Sequence, residues 1–178
     1  ETPGLQPTIY NGTAVITENG KPALDFDGTN DVLISPTMTV TDGELLQSAV
    51  FVADANAGGV VSCDSSPVRV AQTITFQTTT ALRLLTFNSS GGVDTEVTNT
   101  ANATGTQTLG TSQILSGQGE IFVDGSGTLG GTFNVRTDAT TIQIAKATPF
   151  GASFDGRIQE VLQRTSQQTN RTAIETNI

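Results

Sequence analysis

Histidine and tryptophan are both absent from this 178-residue chain, and cysteine, methionine and tyrosine occur once each. Without histidine no Ser-His-Asp triad can be assembled. The same absence, with Cys63 as the sole thiol, removes the usual ligand sets for zinc and redox metals. A single cysteine also excludes an intrachain disulfide, so stability must come from packing. Cys63 itself reads as a small, half-buried residue of the run Val60-Val61-Ser62-Cys63. Basic residues are scarce: eight Lys and Arg against 17 Asp and Glu leave a formal charge of −9. That balance argues against a nucleic-acid partner and against an anionic membrane surface, both of which select Lys and Arg. No apolar run approaches the roughly 20 residues that cross a bilayer, so membrane insertion is not expected either. The chain begins at Glu1 without a signal-peptide pattern, and is expected to be a processed form or the ordered part of something longer.

What is present is threonine and glycine. Thr favours strands because its branched Cβ suits a pleated surface, and the 19 Gly favour turns. With charged residues at only 14% and no charge blocks, the chain reads as one ordered all-β domain over 1–178. Short apolar or alternating runs predict strands at Ala14–Thr17, Ala23–Phe26, Asp31–Ser35, Leu46–Ala53, Gly59–Cys63, Val68–Phe76 and Ala81–Asn88. Further runs lie at Thr95–Thr98, Thr106–Leu115, Glu120–Val123, Thr128–Val135, Thr140–Lys146 and Gly156–Arg164. Within Arg69 to Phe76, Val70, Gln72, Ile74 and Phe76 alternate with Ala71, Thr73 and Thr75, which predicts a solvated Thr face. Asp27-Gly28, Asp42-Gly43, Gly58-Gly59, Gly91-Gly92, Asp124-Gly125 and Asp155-Gly156 read as tight turns needing positive φ. So many short strands without helical periodicity point to a two-sheet antiparallel sandwich of jelly-roll type. The stretch Asn88 to Gly119 is low in complexity and reads as loops or a weakly apolar sheet face. At the C-terminus, Asn170 to Ile178 reads as a short helix with Ile174 and Ile178 on one face.

Two segments near the chain ends match one another: Gly20 to Asp31 and Phe154 to Leu162 each join an alternating apolar run to Phe-Asp-Gly. Ends that carry the same strand-turn signal suit a fold closed by pairing early strands with the last. Lys21 to Asp31 (KPALDFDGTND) resembles the opening strand of the concanavalin A-like lectin/glucanase superfamily in its laminin-G-like form. Glu120-Ile121-Phe122-Val123-Asp124-Gly125 is similar to that family's late V-D-G hairpin. Thr141-Ile142-Gln143-Ile144 with Phe154 to Val161 after it is similar to the family's closing strand pair. The family's W-H-H-V strand is missing, and Thr108 to Leu115 takes its place. The tail Ser166 to Ile178 is similar to the segment after this domain in phage and viral structural proteins and in bacterial surface proteins. The resemblance implies a jelly-roll fold, while the family's members include enzymes, lectins and inert structural modules.

Chemistry must then be sought in individual residues. A glycosidase needs two carboxylates about 5–10 Å apart. The nearest spacing, Glu120 with Asp124, puts Asp124 in an expected hairpin turn, so catalytic residues are expected to be none and the protein is not expected to be an enzyme. Sugar stacking usually needs Trp or Tyr; Tyr10 is the only one, and the eight Phe fall in apolar runs expected to form core. No bound cofactor is expected. Ca²⁺ is the one metal with candidate ligands, Asp27, Asn30 and Asp31, although an Asp27-Gly28 turn with Asx turns accounts for the same residues. These features, with the tail, imply a non-enzymatic structural module of a virion surface, acting on other virion subunits or on copies of itself. The alternative is a carbohydrate-binding, lectin-like adhesin or receptor-binding module recognising a surface glycan, on a virion, outside the cell or on a bacterial surface.

Overall fold

In a computed structural model, residues 8–10, 14–18, 20–39, 45–54, 58–66, 69–76, 80–87, 93–115, 117–133, 139–147, 152–164, 173 and 176 are described. Their strands are β1 Thr8–Tyr10, β2 Ala14–Glu18, β3 Lys21–Asp27, β4 Val32–Ile34, β5 Met38–Thr39, β6 Leu45–Ala53, β7 Gly59–Ser66, β8 Arg69–Phe76 and β9 Leu82–Phe87. They continue with β10 Val93–Asn99, β11 Gln107–Leu115, β12 Gln118–Val123, β13 Ser126–Thr132, β14 Ala139–Ile144, β15 Lys146–Ala147, β16 Ala152–Ser153 and β17 Asp155–Arg164. Two large antiparallel sheets result, and β15 and β16 pair apart from them as a two-stranded ribbon. One runs β1-β4-β14-β7-β8-β9-β10, with β5 added to β14, and the other runs β13-β12-β11-β6-β17-β3-β2. The expected C-terminal helix lies outside the described residues, apart from Ala173 and Thr176.

The matching end segments are neighbours. β17 pairs antiparallel with β3, placing Asp155 opposite Asp27, Gly156 opposite Phe26 and Ile158 opposite Leu24. The Gly28 N–H also donates to the Phe154 carbonyl at 3.1 Å. Glycine is required at two of these positions for different reasons. A Cβ on Gly28, at φ 73°, would lie 2.8 Å from the Asp155 Cβ. One on Gly156, at φ 140°, would lie 2.2 Å from the Val52 carbonyl oxygen. Asp155-Gly156 is therefore no hairpin turn: it opens β17, and its glycine serves close backbone approach. Asp124-Gly125 is the turn expected, with φ of 49° and 79°, as a two-residue I′ hairpin between β12 and β13 requires.

The core fills the space between the sheets. Phe51 from β6 contacts Phe76 and Phe154 edge-on, with ring centroids 6.1 and 5.8 Å apart. Phe154 in turn meets Phe26 at 6.4 Å. These rings, all buried, join Leu33, Ile74, Leu82, Leu84, Ile121 and Ile158 in one cluster. Each such side chain contributes on the order of 2–3 kcal/mol by leaving water.

Two expectations are corrected. Thr73 and Thr75 are not solvated: both are buried, and their hydroxyls donate to the Val61 and Gly58 carbonyls at 3.2 and 2.8 Å. A hydroxyl satisfied by its neighbour strand carries no demand for water. Cys63 is wholly buried, rather than half so, and receives a hydrogen bond from Gln163 Nε2 at 3.4 Å. The low-complexity stretch supplies β10 and the central β11, which pairs with both β6 and β12. Gly110 explains the small residue there, since a Cβ would press on Phe51 and Leu82 at 3.0 and 3.1 Å.

Candidate functional site

Register places a groove on the outer face of the seven-stranded sheet. Ala49, Phe51 and Ala53 of β6 enter the core, so Ser48, Val50 and Val52 point the other way. Val50 lies opposite Leu109 of β11 on one side and Glu160 of β17 on the other, forming a row across three strands. One row along, Val52 lies between Gln107 and Arg157. The Arg157 guanidinium grips the Asp54 carboxylate with two hydrogen bonds, one of them 2.8 Å, and marks the end of the groove face. In the other direction the Ser48 and Thr111 hydroxyls meet at 3.1 Å, both buried.

The groove encloses about 520 Å³ and is lined by Lys21 and Pro22 of β3, Val50, Gln107, Leu109, Asp124, Gln159 and Glu160. Its floor, Val50 and Leu109, is half-buried and apolar, while Lys21, Gln107, Asp124 and Glu160 are exposed around it. Asp124 is held in place. Its Oδ1 accepts from the Leu109 N–H at 2.8 Å, and its own N–H donates to the Leu109 carbonyl at 2.9 Å. Gln107 Nε2 donates to Gln159 Oε1 across β6.

Gln159 has a particular origin. The register of β17 against β6 shifts between Ile158 and Glu160, so Gln159 is the extra residue of a β-bulge. Beyond that point β17 no longer pairs with β3, whose contact ends at Ile158 opposite Leu24. The groove lies where that pairing ends, lined by Lys21 and Pro22 of β3 and by Gln159 and Glu160 of β17. Bulges re-aim side chains and end pairing in this way, often beside functional sites.

The sequence-derived candidates lie elsewhere. Asp27 ends β3, and Asn30 and Asp31 sit on the β3–β4 connection. Asp27 Oδ1 accepts from the Thr29 N–H at 2.8 Å as an Asx turn, and Asp31 Oδ2 accepts from the Asp27 N–H at 3.3 Å. Asp31 is buried, with Oδ1 unpartnered, whereas Asn30 is exposed. Among the described residues no three His, Cys, Asp or Glu side chains converge as a metal site would require. Glu120 accepts from Gln113 Nε2 within the sheet. The carboxylate that does share a groove with Asp124 is Glu160, which sequence spacing could not reveal because 36 residues separate them. Gln107, Gln159 and Lys21 were equally invisible, being polar residues on alternating strands like many others.

No family model and no curated protein matches the chain. Solved structures do match. Domain 4 of the extracellular arabinanase AbnA from Geobacillus stearothermophilus, in complex with arabinotriose, is similar with a TM-score of 0.66 and 14% identity, over 86% of this chain and 75% of that one. The binding domain of botulinum neurotoxin DC, in complex with SialylT, has a TM-score of 0.68 and 9% identity, over 97% and 46%. The carbohydrate-binding module CBM66 from Bacillus subtilis has a TM-score of 0.54 and 11% identity, over 90% and 96%. At such identities the likeness is one of fold: this chain is a two-sheet jelly-roll β-sandwich, the fold that the sequence resemblance implied. These neighbours are carbohydrate-related domains, and the phage connection suggested by the tail gains nothing from them.

Proposed function

We propose that the protein is a non-catalytic carbohydrate-binding module that takes a neutral glycan in the groove of the seven-stranded sheet. The observation that carries this reading is the groove's composition. Gln107 and Gln159 offer donors and acceptors, Asp124 and Glu160 offer acceptors, and Lys21 offers donors, all around an apolar floor of Val50 and Leu109. Sugars present that combination in reverse, with hydroxyls at the ring edge and C–H groups on its faces. Lys21 against Asp124 and Glu160 leaves the groove net negative, on a chain of formal charge −9. An acidic sugar would be repelled there, so a neutral one is selected. Three neighbouring folds whose names mention arabinotriose, SialylT or carbohydrate binding support the assignment by analogy. A glycan ligand also suits the surface or extracellular setting expected from the sequence.

Catalysis does not follow from the two carboxylates. Asp124 spends an oxygen on the Leu109 N–H, and Glu160 stands exposed. With no aromatic platform among the described residues that line the groove, affinity rests on hydrogen bonds worth about 0.5–1.5 kcal/mol each, so weak binding is expected.

A glycan array of neutral and sialylated oligosaccharides, read with Ca²⁺ and with EDTA, tests the reading. Hits among neutral glycans are expected, unchanged by EDTA, and Gln107→Ala should weaken them about three- to tenfold at unchanged melting temperature. Binding confined to sialylated glycans, or insensitive to Gln107→Ala, overturns it. Loss of hits in EDTA would instead return the ligand to the Asp27–Asp31 loop.

A further inference from the structure

The groove does not end at the sheet surface. Beside it lies a second, more open cavity of about 310 Å³, and Pro22, Gln159 and Glu160 line both. The second cavity runs between the two sheets and is walled by Leu24, Ile158 and Val161 from one and by Leu33 and Ile144 from the other. The two cavities meet at the Gln159 bulge, whose side chain and its neighbour Glu160 belong to the rim of both. Leu24, Ile144 and Val161 pack on the core yet stay only partly buried. Such side chains, left part-covered beside a polar mouth, hold apolar surface that a ligand can take out of water. A third opening of about 210 Å³ continues the line, sharing Ile144 and Val161 and reaching Ile142.

We propose that the ligand is an amphiphilic glycoside, its sugar in the groove and its alkyl chain in the slot between the sheets. The inference rests on the groove's being the sugar site, and it adds the class of aglycone. Continuity of the two cavities is what commits the slot to this occupant: a chain attached to a sugar in the groove enters the slot past Gln159 directly. The mouth is polar and the depth apolar, in the order that a glycolipid head and tail present. At about 30 Å³ per water-sized group, the second cavity has room for about ten such groups, enough to take a chain of about eight carbons whole.

The test is titration with methyl, butyl, hexyl and octyl β-D-glucosides, kept below micelle-forming concentrations and followed by methyl-selective NMR. Affinity is expected to rise about fourfold per methylene until the slot is full. The methyl resonances of Leu24, Ile144 and Val161 should move with the octyl but not with the methyl glucoside. In Val161→Trp, which blocks the slot, the octyl glucoside should fall to the affinity of the methyl one. A flat series in which the methyl glucoside still binds overturns the slot and leaves the sugar site standing. A steep series that moves none of the three methyl resonances, or that survives Val161→Trp, places the chain elsewhere and overturns it too. If no glucoside of any length binds, the slot is again refuted, and the glycan array alone then decides the sugar reading.

Discussion

At the scale of single residues, the fold depends on atoms that are missing. Gly156 is the sharpest case, because its φ of 140° and the Val52 carbonyl 2.2 Å from a notional Cβ both forbid a side chain. The Val52 carbonyl belongs to the central strand β6 and has no freedom to retreat. Gly156→Ala is therefore expected to cost about 2–4 kcal/mol, read as a shift of the urea midpoint at constant slope. A cost below about 1 kcal/mol would mean that β6 and β17 are less tightly apposed than their register indicates. The sequence marks both Phe-Asp-Gly copies as turns, which holds after β3 but not at Gly156, inside β17. The two copies differ in use, one at the end of β3 and one at the start of β17, and only the pairing of Asp27 with Asp155 shows that. The aspartates' oxygens were harder to read. Asp27 and Asp31 look like ligands in the sequence, yet two of their oxygens go to backbone N–H groups a few residues away. Local Asx chemistry and ligand clusters draw on the same residue types, so composition alone cannot separate them.

At the scale of elements, apolar alternation located the long strands well, because a strand of six or more residues with one buried face must show period two. β6 and β17 were legible to within a residue for that reason. Three-residue β1 and the two-residue β5 and β16 were not, since such lengths carry no period; the equally short β4 was marked instead by its unbroken apolar run Val32-Leu33-Ile34. The bulge at Gln159 was invisible for a different reason: alternation continues on both sides of it, and only the partner strand shows that a residue is extra. Its removal makes a specific prediction. Without Gln159, Ile158 still opposes Phe51 and Glu160 still opposes Val50, so every side chain keeps its face. Deletion of Gln159 is expected to leave the folded state intact, with the melting temperature within about 4 °C of the parent, a shift of roughly 1 kcal/mol. It should also let β17 pair with β3 beyond Ile158, closing the groove. Glycan and alkyl-chain binding would then be lost together. A deletion variant that unfolds would show that the bulge is structural rather than a device for opening the sheet.

At the scale of the whole molecule, the two flanks of the sandwich are built differently. On one flank β10 of the first sheet meets β12 and β13 of the second. Gly130 lets Val97 approach, its notional Cβ being 2.5 Å from the Val97 Cβ, and Thr95 Oγ1 donates to the Thr132 carbonyl at 3.2 Å. Asn99 Nδ2 donates to the Ile121 and Ser126 carbonyls at 3.3 and 2.6 Å, tying the sheets through backbone. The opposite flank contains the slot. There β4 pairs with β14 only through Ile34 with Gln143 and Leu33 with Ile144, supported by Ser35, whose N–H donates to the Ile142 carbonyl and whose Oγ accepts from the Ile142 N–H, each at 2.9 Å. Local opening favours the flank with less buried apolar contact and fewer cross-links. Amide hydrogen exchange should therefore show β6 and β11 protected to the level of global unfolding. The β2–β3 ladder and the β4–β14 pairs should exchange at least about tenfold faster, as a unit of lower stability. Octyl glucoside, by filling the slot, should bring the second group towards the first, while methyl glucoside should not. The reason is thermodynamic: a ligand that spans both sheets binds only the closed flank, and so stabilises it in proportion to its occupancy. Uniform protection in the free protein would mean that the slot's walls are already as rigid as the core. The chain would then enter a preformed cavity, and octyl glucoside would raise the global stability without changing the order in which the flanks open.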